Sequence, residues 1–434
     1  MILALPRRDT ATPAYLHRAY ARHFWRYEAR DGLPMLAGAA LLWPFYFLVR
    51  EARLLTRLGP DVKRLSGKSI PRQFGEQLAL AFRWSISPSE YYSFELFDDR
   101  LRARAGAYLL RHQLKGGLHN LIARATDKSC STSRFLNNKG LFAQHCRDHG
   151  LSSIASIMKV HGDGSIIRFD GAAEGLPPCD LFLKPVKCKG GRGCEKWRFA
   201  DGFYIGRDGR QLDAAGLLAH IRDLTQRRDV RSEMRRHHYL VQRCMGNHPA
   251  IADLSTGALI SARIMTCLDE SGAPKVGCAV MKIVTGPDAV VDNFHGGGWV
   301  AAIDVQTGRL GPATNNGLSD PGTWLERHPT TQGIIAGRAL PHWPEAVALV
   351  ERAHATLPDR IGIGWDVAFT PDGPCIIEAN NQWGLDMIQR TYRAPAGELP
   401  FARMYAFHVR KAEAALAKGE TLRPAGRLEP QNAG

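Results

Sequence analysis

Asp366, Glu378 and Asn380 are spaced so that one hairpin would bring three oxygen-bearing side chains together. If Pro371-Asp372-Gly373 is a three-residue loop with Gly373 in the left-handed position, Thr370 pairs with Pro374 and Asp366 falls opposite Glu378. Side chains alternate along a strand, so Asn380 joins the face of Glu378. Two carboxylates and an amide oxygen form a hard donor set suited to Mg²⁺, which takes a few carboxylates alongside substrate phosphates. Mn²⁺ is the other candidate. The alternative is a pair of polar residues on a solvated sheet face. Against it, Ile361, Ile363, Trp365, Val367, Ile376 and Ile377 make both strands read as buried, and a buried carboxylate needs a partner.

Lys184 ends the apolar stretch Leu181-Phe182-Leu183 and precedes Lys189-Gly190-Gly191-Arg192-Gly193-Cys194. Glycines let backbone N–H groups approach an anion, and a strand-terminal lysine adds a point charge, so the combination suits phosphate. No GKS or GKT follows, which excludes a Walker loop, and the same residues also read as a tight turn. Arg263, beside Ile264 and Met265, is another cation in an apolar setting, facing phosphate or held in a structural ion pair. His248 and His295 sit beside turn residues and read as structural. No Ser/His/Asp or Cys/His pattern supplies a protein nucleophile. The nine cysteines contain no CxxC pair, so zinc and disulfide frameworks are excluded and a reducing compartment is expected.

The elements that must position these groups change character along the chain. Residues 1 to 85 are helical in pattern and end near Ser85-Ile86-Ser87-Pro88; helical spacing resumes to about 127, including Arg100 to Leu114. A helix over Gly140 to His149 leads to a β-like stretch at Ile154 to Val160. Strands and turns then dominate: Leu181 to Pro185, Phe203 to Ile205, Tyr239 to Gln242, Ala262 to Cys267, Val276 to Ile283, Ile361 to Thr370 and Pro374 to Ala379. Helices are expected at Leu212 to Thr225 and Pro344 to Thr356, and the tail from Gly419 reads as mobile. The 434 residues allow two or three domains.

The net charge of +15 is concentrated at the front: residues 1 to 150 carry +12 and the rest +3. That basic stretch has no stacking or groove-reading motif, so nucleic acid is not an expected partner. It does contain 18 uncharged residues, Gly32 to Val49, with Leu41, Leu42, Trp43, Phe45, Tyr46 and Phe47. The run is slightly short for a span and Pro34 and Pro44 interrupt it. Arginines on both sides, Arg30 before and Arg50, Arg53 and Arg57 after, fit attachment in the headgroup region; a buried core helix and a true span are the alternatives.

The ordered series Lys139, Lys184 with its glycine loop, a strand ending at Gln242, Arg263, Asp366 and Glu378-Ala379-Asn380 resembles the ATP-grasp superfamily of carboxylate ligases. It is closer still to the sugar-transfer associated ATP-grasp group, found with polysaccharide genes. The matching stretches are Pro88-Ser89-Glu90-Tyr91-Tyr92, Asn138-Lys139, Phe182-Leu183-Lys184-Pro185, Asn247-His248-Pro249, Asp292-Asn293 with Gly296-Gly297, Asp304 with Thr307-Gly308, and Trp365-Asp366-Val367, covering about residues 85 to 395. Ile260-Ser261 stand where this group usually has Asn-Thr, and Gln242 stands where relatives often have glutamate.

The resemblance implies an α+β ATP-grasp fold, two subdomains clasping a nucleotide, behind a helical N-terminal segment. Its divisions would be 1–84 (basic, partly apolar), 85–180 (lead-in), 181–245 (small subdomain with the glycine loop), 246–418 (large subdomain with the metal site) and a tail at 419–434. It further implies that Lys139 and Lys184 contact ATP, that Gly190, Gly191 and Gly193 close over the phosphates, and that Gln242 lies in the hinge beside adenine or ribose. Arg263 would steady the transferred phosphoryl group, and Asp366, Glu378 and Asn380 would hold Mg²⁺. The expected activity is ATP-dependent joining of a carboxylate to an amine in glycan modification, in the cytoplasm or on the inner face of its membrane. The rival is a non-catalytic nucleotide-binding scaffold of a membrane-associated polysaccharide assembly.

Overall fold

The computed structural model describes residues 11–29, 33–128, 131–132, 135–136, 138–169, 175–186, 192–226, 238–286, 294, 298–381 and 383–423, without the side chains of 33–37 and 39–40. Gly190, Gly191 and His295 lie outside these. Among the described residues the leading α-helices are α1 (Thr12–His23), α2 (Leu33–Ser66), α3 (Ile70–Trp84), α4 (Pro88–Ser93), α5 (Asp99–Ala103), α6 (Arg111–Gln113), α7 (His119–Ala125) and α8 (Lys139–Asp148). There follow β1 (Ser156–Val160), β2 (Ile166–Arg168), β3 (Leu181–Pro185), β4 (Glu195–Ala200), β5 (Phe203–Gly206), β6 (Gln211–Leu212), α9 (Ala214–Gln226), β7 (Tyr239–Arg243), β8 (Ser261–Leu268) and β9 (Pro274–Ile283). The chain closes with β10 (Trp299–Ile303), β11 (Leu310–Thr314), β12 (Trp324–Leu325), α10 (Trp343–Ala355), β13 (Gly362–Thr370), β14 (Gly373–Asn380), α11 (Asp386–Tyr392) and α12 (Pro400–Lys418).

The strands form two antiparallel seven-stranded sheets, β2-β1-β7-β3-β4-β5-β6 and β12-β11-β10-β9-β8-β13-β14. The first buries Met158, Val160, Leu183, Trp197 and Val241 against Leu217, Ile221 and Leu224 of α9. The second is buried on both faces. Ile264, Met281, Ile363 and Trp365 pack with Ala346 and Leu349 of α10 and Phe142 of α8, whereas Met265, Cys267, Cys278 and Val280 face Ile388 of α11 and Phe401 and Tyr405 of α12. Leu16 and Ala19 of α1 belong to this second core. Helix α1 is also tied to α12 directly: Tyr15 Oη donates to Glu413 Oε2 (2.7 Å), and Arg22 Nε donates to Glu413 Oε1 (2.9 Å).

Three expectations need correction. The closing hairpin has a two-residue turn, with Thr370 opposite Gly373; Thr370 Oγ1 donates to Gly373 O. A bulge at Ile377 absorbs the missing residue, so Asp366 still falls opposite Glu378. Residues Arg100 to Leu114 do not make one helix but break into short turns. The Gln389 side chain takes both backbone groups of Leu109, and a Cβ at Gly106 would meet the Trp84 ring, so tertiary contacts overrule the helical spacing. Finally, Pro44 does not interrupt the apolar run. Helix α2 passes through Pro44 and Pro60, both of them exposed. Among the described residues no helix is long and apolar enough to cross a membrane.

Helices α2 to α4 share a smaller core of Leu58, Val62, Leu80, Ile86, Tyr91 and Tyr92. Ser87 and Glu90 form a capping box at α4. Glu51, 1% exposed, has neither carboxylate oxygen hydrogen-bonded, and burial pushes its pKa up to about 8. Because the native value exceeds the unfolded one, this carboxyl contributes no penalty below about pH 4.5 and destabilises progressively up to about pH 8. Glu51→Gln should therefore match the parent near pH 4.5 and be more stable by about 2–4 kcal/mol at pH 8. Urea unfolding at the two pH values checks this; equal stability at both would show Glu51 to be solvated.

Candidate active site

The alternation of β8, β9 and β13 places Arg263, Lys282 and Asp366 on the face of the large sheet that carries Met265 and Val280, with Asp366 paired across from Arg263. Arg263 grips both carboxylate oxygens, Nε to Oδ1 at 2.5 Å and Nη2 to Oδ2 at 3.0 Å. Lys282 Nζ lies 3.2 Å from Oδ2 and donates to Ser261 Oγ at 3.1 Å. All three charged groups are nearly buried. Burial alone would raise the pKa of Asp366, but the two cations outweigh it and hold the carboxyl well below the usual carboxylate range.

Glu378 and Asn380 follow on the edge strand β14, both half-buried, on the face of Asp366 and Gly364. Asn380 Nδ2 donates to Glu378 Oε1 at 3.1 Å, which leaves the amide oxygen turned to accept or ligate. Among the described residues no three His, Cys, Asp or Glu side chains converge as a metal group; the third donor here is an amide. The oxygen-only set fits Mg²⁺, which commonly uses one or two carboxylates. Glu378 is the carboxylate whose charge is not already matched by Arg263 and Lys282.

The small sheet supplies the opposing cation. Lys184, 7% exposed on β3, feels the charges of Lys139 and Glu378; burial first, then Lys139, pushes its pKa down to about 8. Lys139 opens α8, whose N-cap Asn138 accepts from the backbone N–H groups of Gly140 and Leu141. Gly193, with φ +71°, packs on Pro185 and Tyr239. The two sheets meet where Ile154 N donates to Ile376 O, just before the chain enters β1. Gln242 of β7 sits at this joint, buried, its Nε2 donating to Ile154 O (3.3 Å) and Ser156 Oγ (3.2 Å).

The structure thus brings Lys139, Lys184, Arg263, Asp366, Glu378 and Asn380 into one region between the sheets and puts Gln242 at their joint. Lys282 was not anticipated; its signal is a lone lysine in the apolar run Val276 to Val284. Several quoted stretches do structural work instead. Asn247 accepts from Ile260 N and donates to Ala258 O, His248 Nδ1 accepts from Ala250 N, and Asp304 caps its turn through Gln306 and Thr307.

A family model described as sugar-transfer associated ATP-grasp matches residues 120–396. No curated protein matches the chain. Solved structures to which the chain shows similarity include an L-amino acid ligase from Bacillus licheniformis, 14% identical, covering 60% of this chain and 43% of its own, with a TM-score of 0.31. Another is a D-alanine–D-alanine ligase from Bacillus anthracis, 11% identical over 66% of this chain and 70% of its own, TM-score 0.33. An N5-carboxyaminoimidazole synthase from Aspergillus clavatus is 11% identical over 65% and 61%, TM-score 0.33. This chain spans less than half the length of the first of these.

Proposed function

Because the chain belongs to the sugar-transfer associated ATP-grasp family, we propose that it is an ATP-dependent ligase that joins a carboxylate to an amine, releasing ADP and phosphate. The carboxylate or amine would come from a sugar acid, an amino sugar or an amino acid bound for a surface glycan, at the inner face of the cytoplasmic membrane. The supporting observation is that Lys184 from one sheet shares a site with Glu378 from the other, its pKa set by Lys139 and Glu378 after burial.

In this reading Lys139 and Lys184 hold the ATP phosphates and the loop through Gly190, Gly191 and Gly193 covers them. Glu378 and Asn380, with Asp366, would hold Mg²⁺, which when bound would neutralise charge on the phosphates. Arg263, fixed by Asp366, steadies the transferred phosphoryl group. A substrate carboxylate oxygen attacks the γ-phosphorus, the bond to the β–γ bridging oxygen breaks, and ADP leaves. The amine then attacks the acyl carbon, phosphate departs, and the nitrogen loses a proton to give the amide. The cations around the site stabilise the oxyanion of that second step.

Hydroxylamine intercepts acyl phosphates, so a true substrate carboxylate with ATP should yield a hydroxamate and ADP. Release of AMP and pyrophosphate instead would overturn the reading. The nucleotide contact has its own test. Lys184→Ala should weaken ATP binding by about 10- to 100-fold, the worth of a charge-assisted contact. With its pKa lowered to about 8, Lys184 is charged below that value, so wild-type affinity should fall as pH rises through 8 and Lys184→Arg should abolish the fall. Calorimetry from pH 7 to 9 measures both, and unchanged affinity in Lys184→Ala would remove the contact.

A further inference from the structure

Helix α2 is patterned inside out over its middle. Phe47, Leu55, Leu58 and Val62 are buried. The opposite side, where polar residues belong on a surface helix, carries Leu41, Leu42, Phe45, Tyr46, Leu48 and Val49, each 50–81% exposed. Phe82 of α3, 70% exposed, meets Trp43 edge-on at 5.6 Å and widens the patch onto a second helix. Monomeric soluble proteins rarely leave so continuous an apolar surface in water.

The same outward side changes chemistry after Val49. Arg50, Arg53, Arg57, Lys63 and Arg64 are exposed along α2, and Arg83 is exposed beside Phe82. Arg50 Nη1 donates to Tyr46 Oη at 2.7 Å, so the phenol sits where apolar surface gives way to charge. The apolar part extends about 12 Å along the helix axis. Aliphatic and aromatic groups with a tyrosine at the border and a cationic flank match the acyl-to-headgroup gradient of an anionic bilayer. A second copy of the chain would satisfy the apolar residues, but the cationic flank of Arg50, Arg53 and Arg83 calls for anions, which the phosphates of an anionic bilayer supply.

We propose that Leu41 to Val49 and Phe82 form the membrane-contacting surface, lying in the interface of an anionic bilayer with Arg50, Arg53 and Arg83 on its phosphates. The proposal rests on the peripheral placement given above and names the surface and the lipid chemistry that achieve it. Full-length protein should float with phosphatidylglycerol/phosphatidylcholine vesicles at low salt and lose most of that binding on pure phosphatidylcholine. Leu42→Glu with Phe45→Glu should cut binding about 100-fold or more, and Arg50→Gln with Arg53→Gln about 20-fold, with a weaker salt dependence. These residues are exposed, so circular dichroism and ATP affinity should stay as in the parent. Double-glutamate protein that floats like the wild type would overturn the surface while leaving membrane placement standing, and wild type that binds neither vesicle would overturn both. A vesicle-free dimer that the double-glutamate variant breaks would give the face to a second copy and also overturn the proposal.

Discussion

Glu378→Gln should leave a folded protein whose Mg²⁺-dependent ATP turnover is lower by about 100-fold or more. Asp366 already faces Arg263 and Lys282, so Glu378 is the carboxylate whose charge remains to attract a divalent cation and to offset Lys184 across the cleft. Glutamine keeps the shape and can still accept from Asn380 Nδ2 in place of Glu378 Oε1, so the fold loses at most about 0.5 kcal/mol. Removing one preorganised electrostatic group typically costs 10²- to 10³-fold in rate. ADP release and the thermal midpoint, measured on the same preparation, separate the two quantities. Turnover near the parental rate would take Glu378 out of the metal site.

Asp366→Asn should behave differently, losing both turnover and stability, with about 3–5 kcal/mol lost from the latter. Its carboxylate is a group that both Arg263 and Lys282 contact inside the sheet, and neutralising it takes from both nearly buried cations the negative charge they share. Linkage gives the pH window. Because the native pKa is depressed, the stability from this group is complete above the unfolded value near 4 and is lost as pH falls through the native value. The parent should therefore weaken in acid while Asp366→Asn, already weakened, shows less of that decline. Adding Lys282→Met should return part of the stability without restoring turnover. Urea unfolding of the three proteins at pH 7 and pH 3 decides it; an Asp366→Asn protein as stable as the parent at pH 7 would show that the cluster is not a structural anchor.

Period-two alternation was enough to pair Asp366 with Glu378 and to put Asn380 beside them, because a hairpin is local. The count behind that pairing was nevertheless off by one at the turn, and the Ile377 bulge restored it; no residue-type signal marks such a bulge. Lys282 stayed hidden for a different reason. Its role depends on β9 lying next to β8, a local hairpin, and on β8 lying next to β13, a pairing between segments about a hundred residues apart that no local pattern encodes. Helix α12 was legible and overlooked: Phe401, Tyr405, His408, Val409 and Ala412 follow helical spacing and are buried. The apolar run of α2 was plain in the sequence, whereas its outward orientation depends on which side α3 and α4 cover.

The clasp between α1 and α12 bears on how the protein is made. Leu16 and Ala19 are buried against a core that includes Phe401, Tyr405 and Val409, residues the ribosome adds several hundred positions later. At about 5–20 residues per second, α1 waits roughly 20–75 s for the α12 part of the surface that buries it, Leu109 to Ala125 of the same core having arrived earlier. Throughout that interval the part of its apolar side that α12 covers and the outward patch of α2 are both open to water on the nascent chain. The large core therefore cannot close domain by domain from the front; it is sealed when α12 emerges. Chaperones or an early bilayer contact through α2 would matter most for this protein during synthesis, and losing either α1 or α12 would leave the other with an exposed apolar face rather than a trimmed but stable protein.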